Sequence, residues 1–491
     1  MNLLLALLSA ALLILVFPNF DLRVFAPVAL TPLLLAAARQ PVWWKRFLLG
    51  EASGIFFWGG LCHWIEFVLE NHGGMDAWLG WLTFALFCVL KGLHTAVFTA
   101  LAGPILQRPW AIVGVAALWT GIERLHGEFG FQWVLLGNAG IDMGVPLRLA
   151  PVVGVYGVSF VFAMMAAAVA MIFLRMPRSY VYPMAALPML YLLPEMTPPL
   201  AGQDTAVAVQ GNAPQSFNWT MPKIRELIST MGSLSLKNSL DPARPTPTLL
   251  LWPESPAPMY FYTDPEFQAE AKRLARSIKT HFLFGTVAYD PKTRAPLNRA
   301  LLLNPYGEIV TSYDKMYLVP FGEFVPETFS WVNRITQEAG DFQPGRRVVA
   351  SKVDNHTLGT VICYESAFPE LVRRFPLEGA ELIVNITNDG YFGRSSARGQ
   401  HVLLARMRAA ENRRWVLRVT NDGYTMAIDP GGRVTDTLPP YQATAGRLNF
   451  NWIPSLTPYT RNGDWFAWTA LGFGIAAFAL AKLLPEPELH R

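Results

Sequence analysis

Cysteine is scarce in this chain of 491 residues, with only Cys62, Cys88 and Cys363. Three thiols in three separate contexts exclude a disulfide framework, and no Cys/His spacing suits a metal, so neither metal nor cofactor is expected. Charge is scarce as well: Asp, Glu, Lys and Arg make up 15% against 52% apolar residues, and the net charge is +4. That surplus fits positive flanks on membrane helices; no basic stripe with interleaved aromatics is present, which excludes a nucleic-acid binder. No glycine-rich phosphate loop follows a strand, and "DPGG" at 429–432 reads as a turn. Internal repeats and low-complexity tracts are absent.

Long apolar runs are abundant. A bilayer core needs about 20 apolar residues as helix, and eight candidate spans appear at 3–17, 22–38, 47–69, 77–103, 109–123, 150–174, 180–195 and 465–484. The first lacks a basic flank and a cleavage site, so it reads as a retained anchor. With the N-terminus inside, Arg39, Lys45, Arg46, Arg108, Arg175, Arg178, Lys482 and Arg491 fall inside, against Arg23, Arg124 and Arg148 outside. The positive-inside rule favours this arrangement. Both termini are then cytoplasmic, and the polar segment faces the periplasm of a two-membrane bacterium, where no ATP or nicotinamide is supplied. Glu66, Lys91 and His94 fall within spans; three scattered residues form no relay and read as polar contacts in the bundle. The broken, glycine-rich stretch between Arg124 and Arg148 is expected to lie in the outer membrane–water interface.

The expected domains are a seven-helix membrane domain at 1–203, a polar domain at 204–450, and a return linker with the eighth helix at 451–491. Within 204–450, short β-branched runs alternate with helical stretches, which argues for an α/β layered domain. Expected strands are 206–210, 248–252, 282–287, 300–303, 359–363, 382–385, 416–420 and 425–428, with helices at 267–280, 368–378 and 397–413.

Three strand ends carry reactive groups. "LLLWPESPAP" presents Glu254, "SYDKMYLVPFGEFVP" presents Lys315 and Glu323, and "TVICYESAFPE" presents Cys363. Each alone is ordinary, since a lone strand cysteine is usually core and surface Lys and Glu are usually solvated. Here they are embedded in Trp, Pro, Phe and Tyr, which implies burial with partners. A thiol titrates near about 8.5 and reacts as thiolate, so it needs a base. Glu254 can supply it, and Lys315 can stabilise both thiolate and oxyanion. Together they make an acyl-transfer site without histidine.

These motifs resemble the Glu–Lys–Cys triad of the nitrilase, or carbon–nitrogen hydrolase, superfamily. "VQGNAPQSFNW", "NDGYFGRSSARGQHVLLARMRAAENRR" and "LTPYTRNGDW" narrow the resemblance to its membrane-embedded branch, the apolipoprotein N-acyltransferases. It spans nearly the whole chain. The resemblance implies an αββα sandwich with Glu254 as base, Lys315 as oxyanion stabiliser, Cys363 as acyl carrier and Glu323 as an orienting carboxylate. Tyr364 and Glu365 would shape the pocket, and Trp219 would sit on a substrate-gating arm. Tyr391 stands where many members carry Trp, which bears on the acyl pocket. The implied reaction moves an acyl chain from a phospholipid through a Cys363 thioester to the α-amine of a diacylglyceryl-cysteine apolipoprotein, at a bacterial inner membrane, by a monomer. The alternative is a membrane-tethered amidase using water as acceptor. A transporter or scaffold with an inactive domain ranks third, because every triad position is filled.

Overall fold

The computed structural model of the chain describes residues 1–128, 131–196, 201–215, 218–320, 322–324 and 342–485. Arg491, residues 129–130 and 197–200, and parts of the motifs quoted above (216–217, 321 and 325–326) lie outside the described residues. The chain divides into two compact units. One comprises Met1–Glu66, Ala77–Met196 and Asn462–Arg491, the other Phe67–Asp76 and Thr197–Arg461.

The first unit is helical. Ala77–Ile105, Val155–Phe173 and Trp465–Leu483 are long and apolar enough to cross a membrane, and Trp43–Leu61 with Trp64–Asn71 makes a fourth candidate bent by 61°. Their outward faces carry Leu82, Leu86, Leu90, Phe473, Ile475 and Leu480 exposed, an arrangement suited to lipid and costly in water. Small residues let backbones touch: a Cβ on Gly54 would sit 2.6 Å from the Cα of Gly92, the close approach typical of membrane helix pairs. The 180–195 expectation becomes a 3₁₀-helix, Arg178–Leu192, with Pro183 and Pro188 inside it. At about 2.0 Å rise per residue its 15 residues reach roughly 30 Å, the thickness of a bilayer core.

Two expectations for this unit gain detail. The stretch after Arg124 is packed into the helical unit over much of its length. Trp133 to Ile141 are buried, because Glu123 accepts the Leu136 N–H at 2.6 Å and the Asn138 side chain accepts that of Leu135 at 2.7 Å. Lys91 is buried and donates to the Phe131 carbonyl at 2.8 Å, with the Trp58 ring 5.4 Å away, a polar contact inside the bundle as expected.

The second unit is built on two six-stranded sheets. One contains β1 (Asp204–Gln210), β2 (Leu249–Leu251), β3 (His281–Tyr289), β4 (Pro296–Leu303), β5 (Ile309–Asp314) and β12 (Thr444–Phe450), in the order β12-β1-β2-β3-β4-β5. The other contains β6 (Ala350–Val353), β7 (His356–Ile362), β8 (Leu382–Thr387), β9 (Val416–Thr420), β10 (Met426–Ile428) and β11 (Val434–Thr437), in the order β11-β10-β9-β8-β7-β6. The central strands β1, β2 and β3 run parallel, as do β7, β8 and β9. Alternate residues Val207 and Val209, Phe282 and Phe284, and Leu301 and Leu303 share one core with Ile224, Met231, Phe267 and Leu274, as the period of two in a strand requires.

Two helices cover that sheet. Pro265–Ile278 is capped by Asp264, which accepts from the N–H groups of Glu266 and Phe267. Met221–Ser239 carries Pro222 in its first turn and was not expected from sequence. The expected helix at 368–378 is instead two short turns, Pro369–Val372 and Arg374–Leu377, and β5, β6, β11 and β12 were not foreseen. This unit also extends past 450. The Ile453 N–H donates to the Glu381 carbonyl, Arg414 to that of Ser455, and Thr457 to that of Glu411, so residues assigned to a return linker are tied down as far as Arg461.

Candidate active site

The site forms at the carboxyl ends of strands, where parallel α/β sheets characteristically bind ligands. Glu254 follows β2 by three residues. Trp252 continues the ladder by donating its N–H to Leu283, and its indole donates to Ser235 at 2.9 Å. The backbone of β3 presses against this turn: a Cβ on Gly285 would lie 2.8 Å from the Glu254 Cα, so glycine is required there. Lys315 is the residue after β5, anchored through its N–H to the Asn298 carbonyl. Cys363 is the residue after β7, and its φ of 51° is left-handed, a strain of about 1–3 kcal/mol for a non-glycine residue. All three are buried.

Lys315 Nζ lies 3.2 Å from Glu254 Oε1 and 2.9 Å from Glu323 Oε2. The Asn298 amide, from β4, spans the same two carboxylates at 2.8 and 2.7 Å. Glu254 Oε2 also accepts the Asn388 N–H at 2.9 Å, and Glu323 Oε2 accepts that of Val319 at 2.8 Å. Burial alone would lower the Lys315 pKa, but Glu254 and Glu323 outweigh it and hold it well above its ordinary range. One cation between two carboxylates leaves this group with a net negative charge. Burial and the Glu254 charge accordingly push the Cys363 thiol up to about 12, against the pull of Lys315 and a hydrogen bond with Thr387. Parallel register explains that last contact: Ile362 pairs with Ile386, so one step further Cys363 stands beside Thr387. The resting sulfur is therefore a neutral thiol, and its proton must leave during attack.

Glu365 is wholly buried. Its Oε1 accepts the Tyr313 hydroxyl at 2.7 Å and the Met316 N–H at 2.6 Å, and its Oε2 accepts the Ile362 N–H at 2.8 Å. Burial pushes this carboxyl up to about 7, with those donors and Lys315 opposing. It braces the segment after β5 against the end of β7, holding Lys315 and Cys363 in register. Tyr364 is buried, edge-on to Phe368 at 4.9 Å.

Tyr391 is held from two sides. Its ring stacks on His72 at 4.2 Å, and its hydroxyl donates to the Gly322 carbonyl at 3.4 Å. Burial, then the charge of Glu323, raises its pKa. Trp219 is not brought to the triad by any contact among the described residues; it packs, half-buried, against the core beneath β1–β4. Sequence reading missed Asn298, Thr387, Asn388 and His72. Asn388 opens a motif quoted above but carries no sign of its contact with Glu254, and no local signal marks the other three, since each acts from a strand or segment remote from the motif it supports. Among the described residues no group of His, Cys, Asp and Glu is arranged to hold a metal.

Residues 9–168 match the apolipoprotein N-acyltransferase N-terminal domain, and residues 205–445 match the carbon-nitrogen hydrolase family. An apolipoprotein N-acyltransferase from Geobacter metallireducens is 32% identical, covering 97% of this chain and 95% of its own. Another, from Methylococcus capsulatus, is 31% identical over 99% of this chain and 97% of its own. Among solved structures, an amidase from Nesterenkonia sp. aligns with 54% of this chain and 94% of its own at 19% identity and a TM-score of 0.39.

Proposed function

Because the chain belongs to the apolipoprotein N-acyltransferase family, we propose that two lipid-anchored substrates meet Cys363 in turn. A phospholipid ester donates the acyl chain, and the α-amine of a diacylglyceryl-cysteine at a lipoprotein N-terminus accepts it. The enzyme is an N-acyltransferase of lipoprotein biosynthesis.

In the first half-reaction the Cys363 sulfur attacks the ester carbonyl while Glu254 takes the thiol proton. The Lys315 ammonium, oriented by Glu323, stabilises the oxyanion. Collapse expels the lysophospholipid oxygen, which leaves with the proton from Glu254, and a thioester remains on Cys363. In the second, the amine attacks that thioester, Glu254 takes a proton from nitrogen, and the sulfur departs and is reprotonated. One ester and one amine become one alcohol and one amide. Ester to thioester is near balance and thioester to amide runs downhill, so no nucleotide is needed. Tyr391 forms a wall of the acyl pocket, Tyr364 and Glu365 support the nucleophile, and Trp219 belongs to an arm that admits substrate.

The reading extends to eight spans within an inner membrane, 1–203 and the end of the chain forming the membrane domain. Both termini are cytoplasmic, the catalytic domain is periplasmic and the enzyme works as a monomer. The single observation that carries the acyl-transfer chemistry is Glu254 bonded to Lys315 at 3.2 Å, with both charges acting on the Cys363 thiol. Continuity with membrane-length apolar helices in the same chain favours a lipid amine as acceptor over water, the amidase alternative.

The test is intact-mass spectrometry of the enzyme after exposure to phospholipid. An acyl adduct on Cys363, absent from Cys363→Ala and discharged by a diacylated lipopeptide amine, is expected. Discharge to water at the same rate without lipopeptide would replace the transferase by the hydrolase.

A further inference from the structure

Behind Cys363 lies a buried group of side chains to which the acyl-transfer steps assign no task. Asp389 and Arg418 are wholly buried, with Arg418 Nη2 2.7 Å from Asp389 Oδ1 and 2.6 Å from Oδ2. Arg418 Nη1 donates to the Asn385 side chain at 2.7 Å. His401, also wholly buried, sets Nδ1 3.1 Å from Asp389 Oδ1 and 3.2 Å from Arg418 Nη2, and its Nε2 3.0 Å from the Cys363 carbonyl oxygen.

A carbonyl only accepts, so Nε2 carries the ring proton and donates to Cys363. In the neutral ring Nδ1 is then an acceptor like the Asp389 Oδ1 beside it, and Arg418 Nη2 is the donor that bridges the two. Burial and the Arg418 charge lower the His401 pKa, which keeps the ring neutral. Burial would raise Asp389, but the Arg418 charge outweighs it and keeps the carboxylate ionised. The result is an ion pair of zero net charge whose outlet toward the site is one N–H aimed at one peptide carbonyl. That carbonyl belongs to the residue with the left-handed φ of 51°. The Ser366 hydroxyl donates to it as well, at 3.2 Å.

The end of β8 ties this group to the chemistry. Thr387 bonds the thiol, and its hydroxyl lies 3.3 Å from Asp389 Oδ1. The next residue, Asn388, donates its N–H to the base Glu254 at 2.9 Å. Asp389, one residue further, anchors His401. Three consecutive residues therefore touch the nucleophile, the base and the support of the nucleophile's backbone.

We propose that His401, fixed by the Asp389–Arg418 ion pair, is a positioning residue that pegs the Cys363 peptide in its left-handed turn and so aims the sulfur at Glu254 and Lys315. Its role in turnover rests on the acyl-transfer reading, but its effect on the thiol does not. A buried ion pair is weak evidence for stability by itself; here its geometry serves a single contact at the nucleophile.

The test uses the full-length enzyme in detergent and compares His401→Gln, His401→Asn and His401→Leu. Glutamine places an amide N–H where Nε2 sits, asparagine places one nearer Nδ1, and leucine keeps volume without a donor. Iodoacetamide modification of Cys363, resolved by peptide mass spectrometry at pH 8, is expected to remain within about threefold for glutamine. Asparagine and leucine are expected to slow it by about tenfold, the scale of one lost hydrogen bond. Acyl-enzyme formation should fall in the same order, with its dependence on phospholipid concentration unchanged. If leucine fails to fold, the glutamine-to-asparagine ratio decides. Equal rates for glutamine and its comparator, or a leucine variant at the wild-type rate, would overturn the proposal, and so would failure of all three to fold, which assigns His401 to packing alone. Alkylation involves no lipid, so a wild-type enzyme that alkylates normally yet forms no adduct from phospholipid defeats the acyl-transfer reading and leaves this one standing.

Discussion

Removing the Glu254 charge is expected to move two measurements in opposite directions. With the thiol at about 12, only about one Cys363 in 10⁴ is thiolate at pH 8, four units below. After burial, Glu254 is the foremost cause of that elevation. A charge at such range shifts a neighbour by roughly 1–3 units, so Glu254→Gln should lower the thiol midpoint by about 1 unit or more and raise the thiolate population about tenfold. Lys315 keeps Glu323 at 2.9 Å and remains charged, which favours the thiolate further. The same substitution removes the base, so acyl-enzyme formation from phospholipid should fall by roughly 10²–10⁴-fold. The assay pairs the pH profile of Cys363 alkylation between pH 7 and 11 with intact-mass kinetics of the thioester. An unchanged or raised midpoint would refute the electrostatic account of the site, and a thioester formed at the wild-type rate would refute Glu254 as base.

Lys315→Met should abolish acyl-enzyme formation and raise the alkylation midpoint, because it leaves two carboxylates uncompensated beside the thiol; a lowered midpoint would contradict the charge arrangement. Glu365→Gln turns at least one amide N–H toward a donor among Tyr313, Met316 and Ile362. It should cost about 1–3 kcal/mol, read as a lower midpoint in denaturant, and slow thioester formation; unchanged stability would show that the brace is not needed. For topology, an engineered cysteine at exposed Lys292 should react with an impermeant thiol reagent once the outer layer is permeable. Cysteines at Gln40 and Arg178 should stay protected until the inner membrane is opened, and the reverse pattern would remove the lipoprotein substrate.

Some elements were legible because local chemistry announces them. Strands β1, β3, β7, β8 and β9 are short β-branched runs between breakers, and Pro265–Ile278 has an Asp cap and an apolar face. The helix Met221–Ser239 was not read, because "STMGSLSLKNS" has the serine and glycine content of a loop. Its buried set Ile224, Leu227, Ile228, Met231 and Ser235 does follow helical spacing, and packing against the sheet stabilises what propensity alone does not. Strands β5, β6, β11 and β12 are polar or half-exposed, and edge positions leave a weak apolar signature.

The sequence by itself marked the candidate reactive set. Glu254, Lys315 and Cys363 each stand in an apolar setting, and burying such groups is tolerable only if they are paired. It also determined that apolar helices flank an α/β domain, because hydropathy is a local property. Tertiary structure alone decided the electrostatics: Asn298 bridging two carboxylates, the Thr387 bond to the thiol, His72 against Tyr391, and His401 on the Cys363 carbonyl. These contacts join residues from 24 to more than 300 positions apart, and their strength depends on distance and exclusion of water. Trp219 shows the same limit from the other side. Its motif suggests a gating arm, yet only packing could place its ring against the core.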